Sequence, residues 1–530
     1  MKKFTLPFFI SAIFLFNIFT FFGTPKTSYA AAGDSVFAGI QVHNINIRFS
    51  QANYWDSLIF YYNEGLEHYI SATIVLDNAT FENVGVRLKG NSSFSHPNDK
   101  KGFKINFDEF EDQKWDDLKG VHLNNFWNDP SFLREKIHLD FCKAAGIAAP
   151  RCNYVRLSLN DTLYAFYSLI EHIDKTFMKT RYGINDGERF KAVDGIGAKG
   201  DLFSDFKWYG NDSTEYFNKY ELKSDGVDAP WQKLVSVIDT LNHSVNLSES
   251  FSQKINTDPF YRAMAADIIF GNLDSYLYTG RNFYFYFTPP VKKLDWIVWD
   301  VGLSMGGLPG GPSAIETLPL TYVIDDTSRP LFSKVLNTPT LRTEYLMALC
   351  NLFSTYYSTS QLYAHIDSTV ALIRPFVYED SRKMFSNAQF ETNVTSDITV
   401  SGRRIPGIKS FLNLRKNSVQ SQLNTLGIDC NVGIVSNDVN NSDSYLLNQN
   451  YPNPFNPVTV ISYSLPKAGN VNIKVYDNLG KEVAELVNEK LSSGVYNINF
   501  KGDNLASGIY YYTLIVNGVM TDTKSMILLK

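Results

Sequence analysis

The hydrophobic pattern of this chain of 530 residues changes its period twice, and these changes limit the folds that it can adopt. Apolar and polar residues alternate over 37–47 and 101–107, as they do in half-buried strands. Further along, Asp129-Pro130 and Asp258-Pro259 each precede apolar residues at helical spacing. Short alternating runs return after residue 445. The pattern predicts an α+β domain with a sheet-rich N-terminal lobe, followed by a small β-sandwich.

Residues 1–30 are typical of a secretory signal peptide. Met1-Lys2-Lys3 is basic, residues 4–22 are uncharged and rich in Phe, Ile and Leu, and Ser28-Tyr29-Ala30 places small residues at a cleavage site. A retained membrane anchor is the alternative interpretation of the same residues. No later stretch approaches the ~20 uninterrupted apolar residues that span a bilayer. We therefore expect the chain to leave the cytoplasm.

The C-terminal residues resemble a known export signal. Residues 431–444 are rich in Asn, Ser and Asp without periodicity, which predicts a linker. The segments 450–457 (NYPNPFNP), 475–480 (VYDNLG) and 505–512 (LASGIYYY) resemble the type A sorting domain of the type IX secretion system. The resemblance covers residues 445–530 and implies an Ig-like sandwich that addresses the protein to the outer membrane. An adhesive or carbohydrate-binding sandwich is the alternative.

Charge and cysteine content exclude some functions. Lys and Arg number 49 against 54 Asp and Glu, so the net charge of −5 does not favour nucleic acid or an anionic membrane as a partner. Four cysteines are too few for a disulfide-dense scaffold. An oxidising compartment permits a disulfide between Cys142 and Cys152, although free thiols there are also compatible with the sequence. Cys350 lies in an apolar run and is predicted to pack in the core.

Residues 272–302 hold the most informative polar groups of the chain. Asp274 follows a predicted helix, so we expect it on a loop held by a rigid element. A predicted hairpin, with strands at 282–287 and 294–299, places Asn282 opposite Asp300. Their oxygens are ligands that a hard divalent cation prefers, and Asp274 is placed to accept a proton from a substrate hydroxyl. Ordinary turn residues at strand ends are the alternative.

An ordered series of motifs over residues 40–310 resembles the CotH kinase family of secreted, atypical protein-kinase-like proteins. The matching segments are 86–93 (VRLKGNSS), 100–105 (KKGFKI), 129–134 (DPSFLR), 164–171 (YAFYSLIE), 272–274 (NLD), 281–284 (RNFY) and 299–300 (WD). The resemblance implies a two-lobed kinase-like domain over residues 34–430, with ATP and Mg or Mn as cofactors.

The resemblance also implies a role for individual residues. Asp274 matches the catalytic-loop aspartate, Asp300 the metal-binding aspartate and Asn282 the metal-binding Asn. Further residues are implied as nucleotide contacts. Lys100 or Lys101 is implied at the phosphates, with Lys100 preferred. Arg87 is implied in the turn over the phosphates, and Glu171 near the nucleotide or at the lobe junction. A solvated strand end is the alternative for the two lysines.

One departure from the family pattern bears on activity. The family often carries a second acidic residue two positions after the metal-binding aspartate, and this chain has Gly302 there. We expect a secreted phosphotransferase that uses ATP to phosphorylate a hydroxyl of an extracytoplasmic protein. A non-catalytic surface or adhesion protein of the same fold is the alternative, and a carbohydrate-binding module is a third. The expected partners are a nucleotide, a secreted or surface protein and the type IX secretion machinery.

Overall fold

The structure is a computed structural model, and it describes residues 31–77, 79–193, 203–224, 229–289, 291–428, 430, 445–447, 450, 455–492 and 494–528. The expected signal peptide at 1–30 and the expected linker at 431–444 lie outside the described residues. No helix within the described ranges is long and apolar enough to cross a membrane.

The N-terminal part of the described chain is a closed barrel of seven strands. These strands are β1 (Val42–Arg48), β2 (Ile70–Leu76), β3 (Ala79–Lys89), β4 (Gly102–Asn106), β5 (Gly120–Asn124), β6 (Cys152–Leu159) and β7 (Thr162–Glu171). Their order around the barrel is β1-β2-β3-β4-β5-β7-β6, and β6 closes the barrel by pairing with β1 in parallel. The other neighbours pair antiparallel.

Alternation along the strands fills the barrel and leaves polar side chains outside it. In β4, Phe103 and Ile105 are fully buried in the barrel core, and Phe107 continues the same face. Lys104 therefore projects from the outer face of the barrel, as the period of two requires. The predicted common face of Phe103, Ile105 and Phe107 is confirmed, and the side chains that alternate with them lie on the outer face of the barrel.

A second sheet, of order β11-β10-β8-β9, packs with helices into a separate core. Its antiparallel strands are β8 (Glu188–Ala192), β9 (Tyr220–Leu222), β10 (Phe283–Thr288) and β11 (Lys293–Val298). The helices of the described chain are α1 (Tyr54–Asn63), α2 (Arg134–Ala144), α3 (Lys175–Tyr182), α4 (Pro230–His243), α5 (Leu247–Lys254), α6 (Thr257–Ile269), α7 (Pro330–Asn337), α8 (Pro339–Tyr356), α9 (Thr359–Glu379), α10 (Asn387–Thr395) and α11 (Ile408–Thr425). A short hairpin of β12 (Ile398–Val400) and β13 (Arg403–Ile405) precedes α11. The α+β class is confirmed.

The helix predicted to begin at Asp129-Pro130 begins later. α2 starts at Arg134, and the Asp129 carboxylate accepts hydrogen bonds from the backbone N–H of Arg134 at 3.0 Å and from its guanidinium at 2.6 Å. The aspartate therefore binds the start of the helix from outside it, across an intervening turn. This shift places Glu135, rather than a residue near Pro130, in the first turn of α2.

The disulfide of the structure differs from the pairing considered above. Cys350 of α8 is bonded to Cys430, whereas Cys142 and Cys152 are free and buried. A disulfide between Cys142 and Cys152 is therefore wrong, whereas the predicted packing of Cys350 in the core is confirmed, with its disulfide to Cys430 in addition. Cys142 and Cys152 are close in sequence, but each is enclosed in the core as a free thiol. The bond that does form joins residues 80 positions apart, which spacing alone does not indicate.

The C-terminal residues form two sheets around a third core, which confirms the β-rich prediction. One sheet has the order β14-β15-β18 and the other β17-β16-β19-β20. The strands are β14 (Leu446–Leu447), β15 (Val458–Leu465), β16 (Gly469–Tyr476), β17 (Glu482–Leu491), β18 (Gly494–Lys501), β19 (Gly508–Val516) and β20 (Val519–Leu528). The predicted turn at 477–480 is present, with Gly480 at φ 79° and the Asp477 carboxylate accepting from the Leu479 N–H.

Candidate functional site

Lys89 is the basic residue of the barrel that lies beside Asp300. It ends β3, and because Leu88 points into the barrel, Lys89 lies on the outer face. Its ammonium donates to the Asn124 side-chain oxygen at 2.6 Å and lies 5.7 Å from the Trp299 ring centroid. Burial lowers the pKa of Lys89, and the charges of Asp300 and Glu135 oppose that lowering. The charges of two carboxylates therefore act on the lysine, while its direct contacts are Asn124 and the Trp299 ring.

Glu135 in α2 completes a polar network with Lys89. The Asn124 amide, which accepts from Lys89, donates to one Glu135 oxygen at 2.8 Å, and the Ser168 hydroxyl donates to the other at 2.7 Å. Burial, together with the nearby charge of Asp300, raises the pKa of Glu135 to about 7. The network joins β3, β5, β7 and α2, so it fixes the helix against the barrel at the edge where Asp300 lies.

Asp274 lies on the loop that follows α6, as predicted, and is nearly buried. One carboxylate oxygen accepts two hydrogen bonds from the Arg281 guanidinium, at 2.7 and 2.9 Å. The Asn282 amide donates to the Asp274 backbone carbonyl at 2.8 Å. The loop therefore returns on itself, and it brings the predicted catalytic aspartate and the predicted metal-binding Asn into direct contact.

The hairpin that carries Asn282 and Asp300 forms with a register one residue different from the prediction. Phe283 pairs with Val298 and Thr288 with Lys293, so paired numbers add to 581 rather than to about 582. The last pair at this end of the hairpin is Phe283 with Val298. Asn282 precedes Phe283 by one residue and Asp300 follows Val298 by two, so the prediction that they face each other directly is wrong. Both residues adopt left-handed backbone, φ 54° for Asp300 and 59° for Asn282, which Asp and Asn tolerate better than other L-residues.

The donor set at this edge is compatible with a divalent cation. Asp300 and Asn282 offer the oxygen ligands that Mg²⁺ or Mn²⁺ prefers. Burial raises the pKa of Glu135 to about 7 and the charge of Asp300 adds to the increase, so an added cation near the two carboxylates would lower their mutual repulsion. Within the described residues no group of three or more His, Cys, Asp or Glu side chains is arranged for a metal. A metal here would therefore depend on Asp300, on Asn282 and on a bound ligand.

The two lysines predicted at the phosphates make intramolecular contacts. Lys100 is 0% exposed, and its ammonium donates to the buried Asp380 carboxylate at 2.7 Å. Lys101 donates to the carbonyls of Phe94 and His96 at 2.8 and 3.1 Å and lies over the Phe94 ring. These contacts give both lysines roles in holding loops, and the solvated strand end considered for Lys100 is wrong.

Arg87 and Glu171 are also placed by the structure. Arg87, on the outer face of β3, pairs with Glu67 at 2.9 Å. Glu171 ends β7 and is buried, with its oxygens accepting from the guanidinium groups of Arg151 and Arg181 at 2.6 to 3.0 Å. A carboxylate held by two arginines stabilises the junction where β7 leaves the barrel. The nucleotide contacts expected of Arg87 and Glu171 stay predictions.

Sequence reasoning did not select Lys89, Asn124 or Glu135, although Lys89 and the residue before Glu135 lay in the segments that it singled out. One signal for Lys89 was its place at a strand end before Gly90, which has φ 110° and begins the loop to β4. Glu135 had a weaker signal, an acidic residue in the first turn of a helix. Their connection through Asn124 depends on strand pairing between distant segments, which no local pattern contains.

Comparison with known proteins identifies the family. The model of the CotH kinase protein family matches residues 86–419, more than half of the chain. The chain therefore belongs to the CotH kinase protein family. The secretion system C-terminal sorting domain matches residues 449–528, which confirms the export resemblance and indicates a secreted or cell-surface protein. The sorting domain points to the type IX secretion machinery.

A curated relative agrees with this assignment. The inner spore coat protein H of Bacillus subtilis (strain 168) is 24% identical over 292 residues, which cover 55% of this chain and 77% of the relative. Two solved structures were also matched. The alkylpurine DNA glycosylase AlkC of Pseudomonas fluorescens has a TM-score of 0.13 at 12% identity, with 38% of this chain and 55% of that chain covered. The twitchin kinase region of C. elegans has a TM-score of 0.16 at 9% identity, with 81% and 70% covered. These TM-scores do not indicate a shared fold.

Proposed function

We propose that the chain is a secreted, kinase-like phosphotransferase that uses ATP and a divalent metal to phosphorylate a hydroxyl of an extracytoplasmic protein. The observation that carries the proposal is the network of Lys89, Asn124 and Glu135 beside Asp300. In protein kinases, a strand lysine paired with a helix glutamate and an aspartate after a later strand bind the phosphates and the metal. Here Lys89 lies on a barrel strand, Glu135 on a helix and Asp300 after the hairpin, and this similar arrangement supports the proposal of two kinase-like lobes.

Within this proposal the phosphate-contacting lysine is Lys89 rather than Lys100. The Lys100 ammonium is enclosed with Asp380, and removing it from that pair would leave a buried carboxylate without its cation. Lys89 instead hydrogen-bonds to the neutral Asn124 amide and has the charges of Glu135 and Asp300 near it, as the strand lysine of a protein kinase has a helix glutamate and a metal-binding aspartate near it. Glu135 positions the lysine through Asn124, and it does so from a helix that the network holds against the barrel.

The remaining roles follow from the loop after α6 and from the hairpin. A metal bound by Asp300 and Asn282 would neutralise charge on the phosphate oxygens. Asn282 also keeps the loop of Asp274 in place through its hydrogen bond to the Asp274 carbonyl. Asp274 would orient the acceptor hydroxyl and take its proton with the carboxylate oxygen that Arg281 does not bind.

Two observations favour the second candidate function, a non-catalytic surface protein of the same fold. Gly302 stands where the family often has an acidic residue, so one expected metal ligand is absent from that position. Arg281 binds Asp274 with two hydrogen bonds, which occupy one of the two carboxylate oxygens that could accept a proton. A protein of this kind would bind nucleotide weakly or not at all.

Binding of Mg·ATP to the full chain tests the proposal. We expect ATP with Mg²⁺ to raise the melting temperature of the wild-type protein, and Lys89→Met to weaken binding at least about tenfold by removing a charge-assisted contact. Lys101→Met is the matched control, because Lys101 contacts only backbone carbonyls and the Phe94 ring among the described residues. Absence of any nucleotide effect on the wild type would favour the non-catalytic alternative.

A further inference from the structure

A buried carboxyl group binds the first residues of the loop that carries Asp274. Asp267, in the last turn of α6, is 3% exposed, and its Oδ1 accepts a hydrogen bond from the Asn272 side-chain amide at 2.8 Å. The backbone N–H of Asn272 donates to the Asp267 carbonyl, also at 2.8 Å. Asn272 lies two residues before Asp274, so these two contacts fix the direction in which the loop leaves the helix.

Ser275 holds the chain on the other side of Asp274. Its hydroxyl donates to the Asn272 carbonyl at 2.7 Å, and its own carbonyl accepts from the Gly280 N–H at 2.9 Å. The Ser275 side chain also interacts with the Asp267 carboxyl. Asp274 therefore lies between two buried residues that are bound to each other and that both contact Asp267.

Asp267 is a costly group at this place. The titratable groups that face it belong to α2, and they are His138, whose Nε2 lies 3.9 Å from Oδ1 of Asp267, and Cys142. Burial lowers the pKa of His138 to about 3, so the imidazole is neutral, and the loop side offers only uncharged Asn272 and Ser275. Without a cation beside it in the described part of the chain, the carboxyl has a pKa that burial raises to about 7.

The other side-chain contacts of Asp274 come from later in the same loop. Arg281 donates two hydrogen bonds to its carboxylate, and Asn282 donates to its carbonyl. These contacts close the loop on itself, and Asp267 adds a contact to the helix before it. A catalytic group on a loop needs such a contact with a rigid element, because closure of the loop alone does not fix its position relative to the rest of the site.

We propose that Asp267 is a positioning residue that holds Asp274 in place for proton transfer, through Asn272 on one side of it and Ser275 on the other. The inference rests on the proposed function, and it deepens it by adding a buried residue on which the rate of transfer depends without contact with ATP or the acceptor.

Rates of phosphate transfer and Mg·ATP binding by the full chain test this inference. We expect Asp267→Ala, which removes the acceptor of the Asn272 amide, to lower kcat about tenfold or more, because displacement of a catalytic group by ~1 Å costs up to about 10²-fold. The affinity for Mg·ATP should stay that of the wild type. Asp267→Asn should restore most of the rate, since its side-chain oxygen can accept the same hydrogen bond. A residue that only stabilises the fold would lower the rate and the affinity together.

Asp295→Ala is the matched control. Asp295 of β11 is also 3% exposed, and it also accepts from an Asn amide, that of Asn256 at 2.8 Å, and from a hydroxyl, that of Thr288. It pairs with Tyr286 near the turn of the hairpin, at the end away from Asp300. Its replacement should lower the melting temperature and leave kcat unchanged at temperatures where the variant is folded.

Hydrogen exchange separates this inference from the proposed function. The backbone amides of 272–281 should exchange faster in Asp267→Ala than in the wild type or in Asp295→Ala, because the loop loses its contact with α6. Unchanged exchange at these amides, a wild-type rate of transfer by Asp267→Ala, or an equal loss of rate in Asp295→Ala would overturn the inference and leave the phosphotransferase proposal intact. A wild-type chain without transfer would contradict that proposal, and faster exchange in Asp267→Ala would still show that Asp267 positions the loop.

Discussion

At the scale of single residues, Asp300 is the side chain on which metal dependence should rest. We expect Asp300→Asn to fold normally, since Asn tolerates the left-handed backbone at this position. The variant should lose the Mg²⁺-dependent part of ATP binding, because hard cations prefer a charged oxygen. Asp325→Asn, which changes an exposed acid outside the site, is the control. Equal stabilisation of Asp300→Asn and wild type by Mg·ATP would show that Asp300 does not bind the metal.

Gly302 allows the opposite substitution, in which a carboxylate is added near the proposed metal instead of removed. A Cβ at this position would meet no atom within 4 Å, and Gly302 is not in the left-handed region, so an Asp fits without strain. Gly302→Asp should tighten binding of Mg²⁺ in the presence of ATP, because it adds the second carboxylate that the family often carries. Titration of Mg²⁺ at fixed ATP measures the change. Gly302→Asn, which adds similar volume without charge, should have a smaller effect, and an equal effect of the two would contradict the metal interpretation.

Lys100 should matter for stability rather than for ligand binding. Lys100→Met leaves the Asp380 carboxylate buried without its cation, and breaking such a pair costs about 3–5 kcal/mol of unfolding free energy. Urea denaturation measures the loss. The double variant Lys100→Met/Asp380→Leu should recover part of the stability, since it removes the unpaired charge as well. Full stability of Lys100→Met with loss of ATP binding would return the phosphate role to Lys100.

The positions of candidate residues could be predicted from the sequence where a local pattern determines them. Asp274 after a helix and Asp300 after a strand were found in this way, because chain order alone places them at element ends. Lys89 and Glu135 were not, since their association requires Asn124 of a third segment and Ser168 of a fourth. Lys100 was selected as a phosphate contact, with preference over Lys101, since nothing local shows that Asp380, 280 positions later, neutralises Lys100.

At the scale of elements, periodicity predicted most strands but not their ends. The extent of β4 and the inward direction of Phe103 and Ile105 follow from alternation, and the structure agrees. The hairpin of β10 and β11 differs by one residue in register, because strands placed by composition at 282–287 and 294–299 do not fix the centre of the turn between them. A register change of one residue moves a side chain to the other face of a sheet, and so local composition cannot decide which groups face each other.

The disulfide between Cys350 of α8 and Cys430, which lies five residues after the end of α11, gives an element-scale prediction. Replacing both Cys350 and Cys430 by Ser should lower the unfolding free energy by about 2–4 kcal/mol, because the bond closes a long loop in the unfolded chain. Urea denaturation with and without reductant measures it. Reductant should destabilise the wild type to the same extent and leave the double variant unchanged. Identical midpoints for oxidised wild type and double variant would contradict a stabilising bond.

At the scale of the whole molecule, the C-terminal sandwich and the rest of the chain should fold separately. Residues 445–528 form their own apolar core from their own strands. A variant truncated near Cys430 should therefore melt as the corresponding part of the full chain does, in differential scanning calorimetry. It should accumulate in the periplasm of its host, because it lacks the sorting domain that matches residues 449–528. Normal amounts of the truncated protein at the cell surface would remove the sorting role, and an unfolded truncated protein would remove the domain boundary.

The central claim is that this chain transfers phosphate, and transfer of the γ-phosphate of ATP to secreted proteins of the host tests it most directly. We predict Mg²⁺-dependent incorporation of radiolabelled phosphate by the full wild-type chain. We also predict that Asp274→Asn reduces the rate about 10²-fold or more, the effect of removing a positioned base, while Mg·ATP binding is retained. Equal rates for Asp274→Asn and wild type, or no incorporation by a wild-type protein that is folded and supplied with Mg·ATP, would contradict the account.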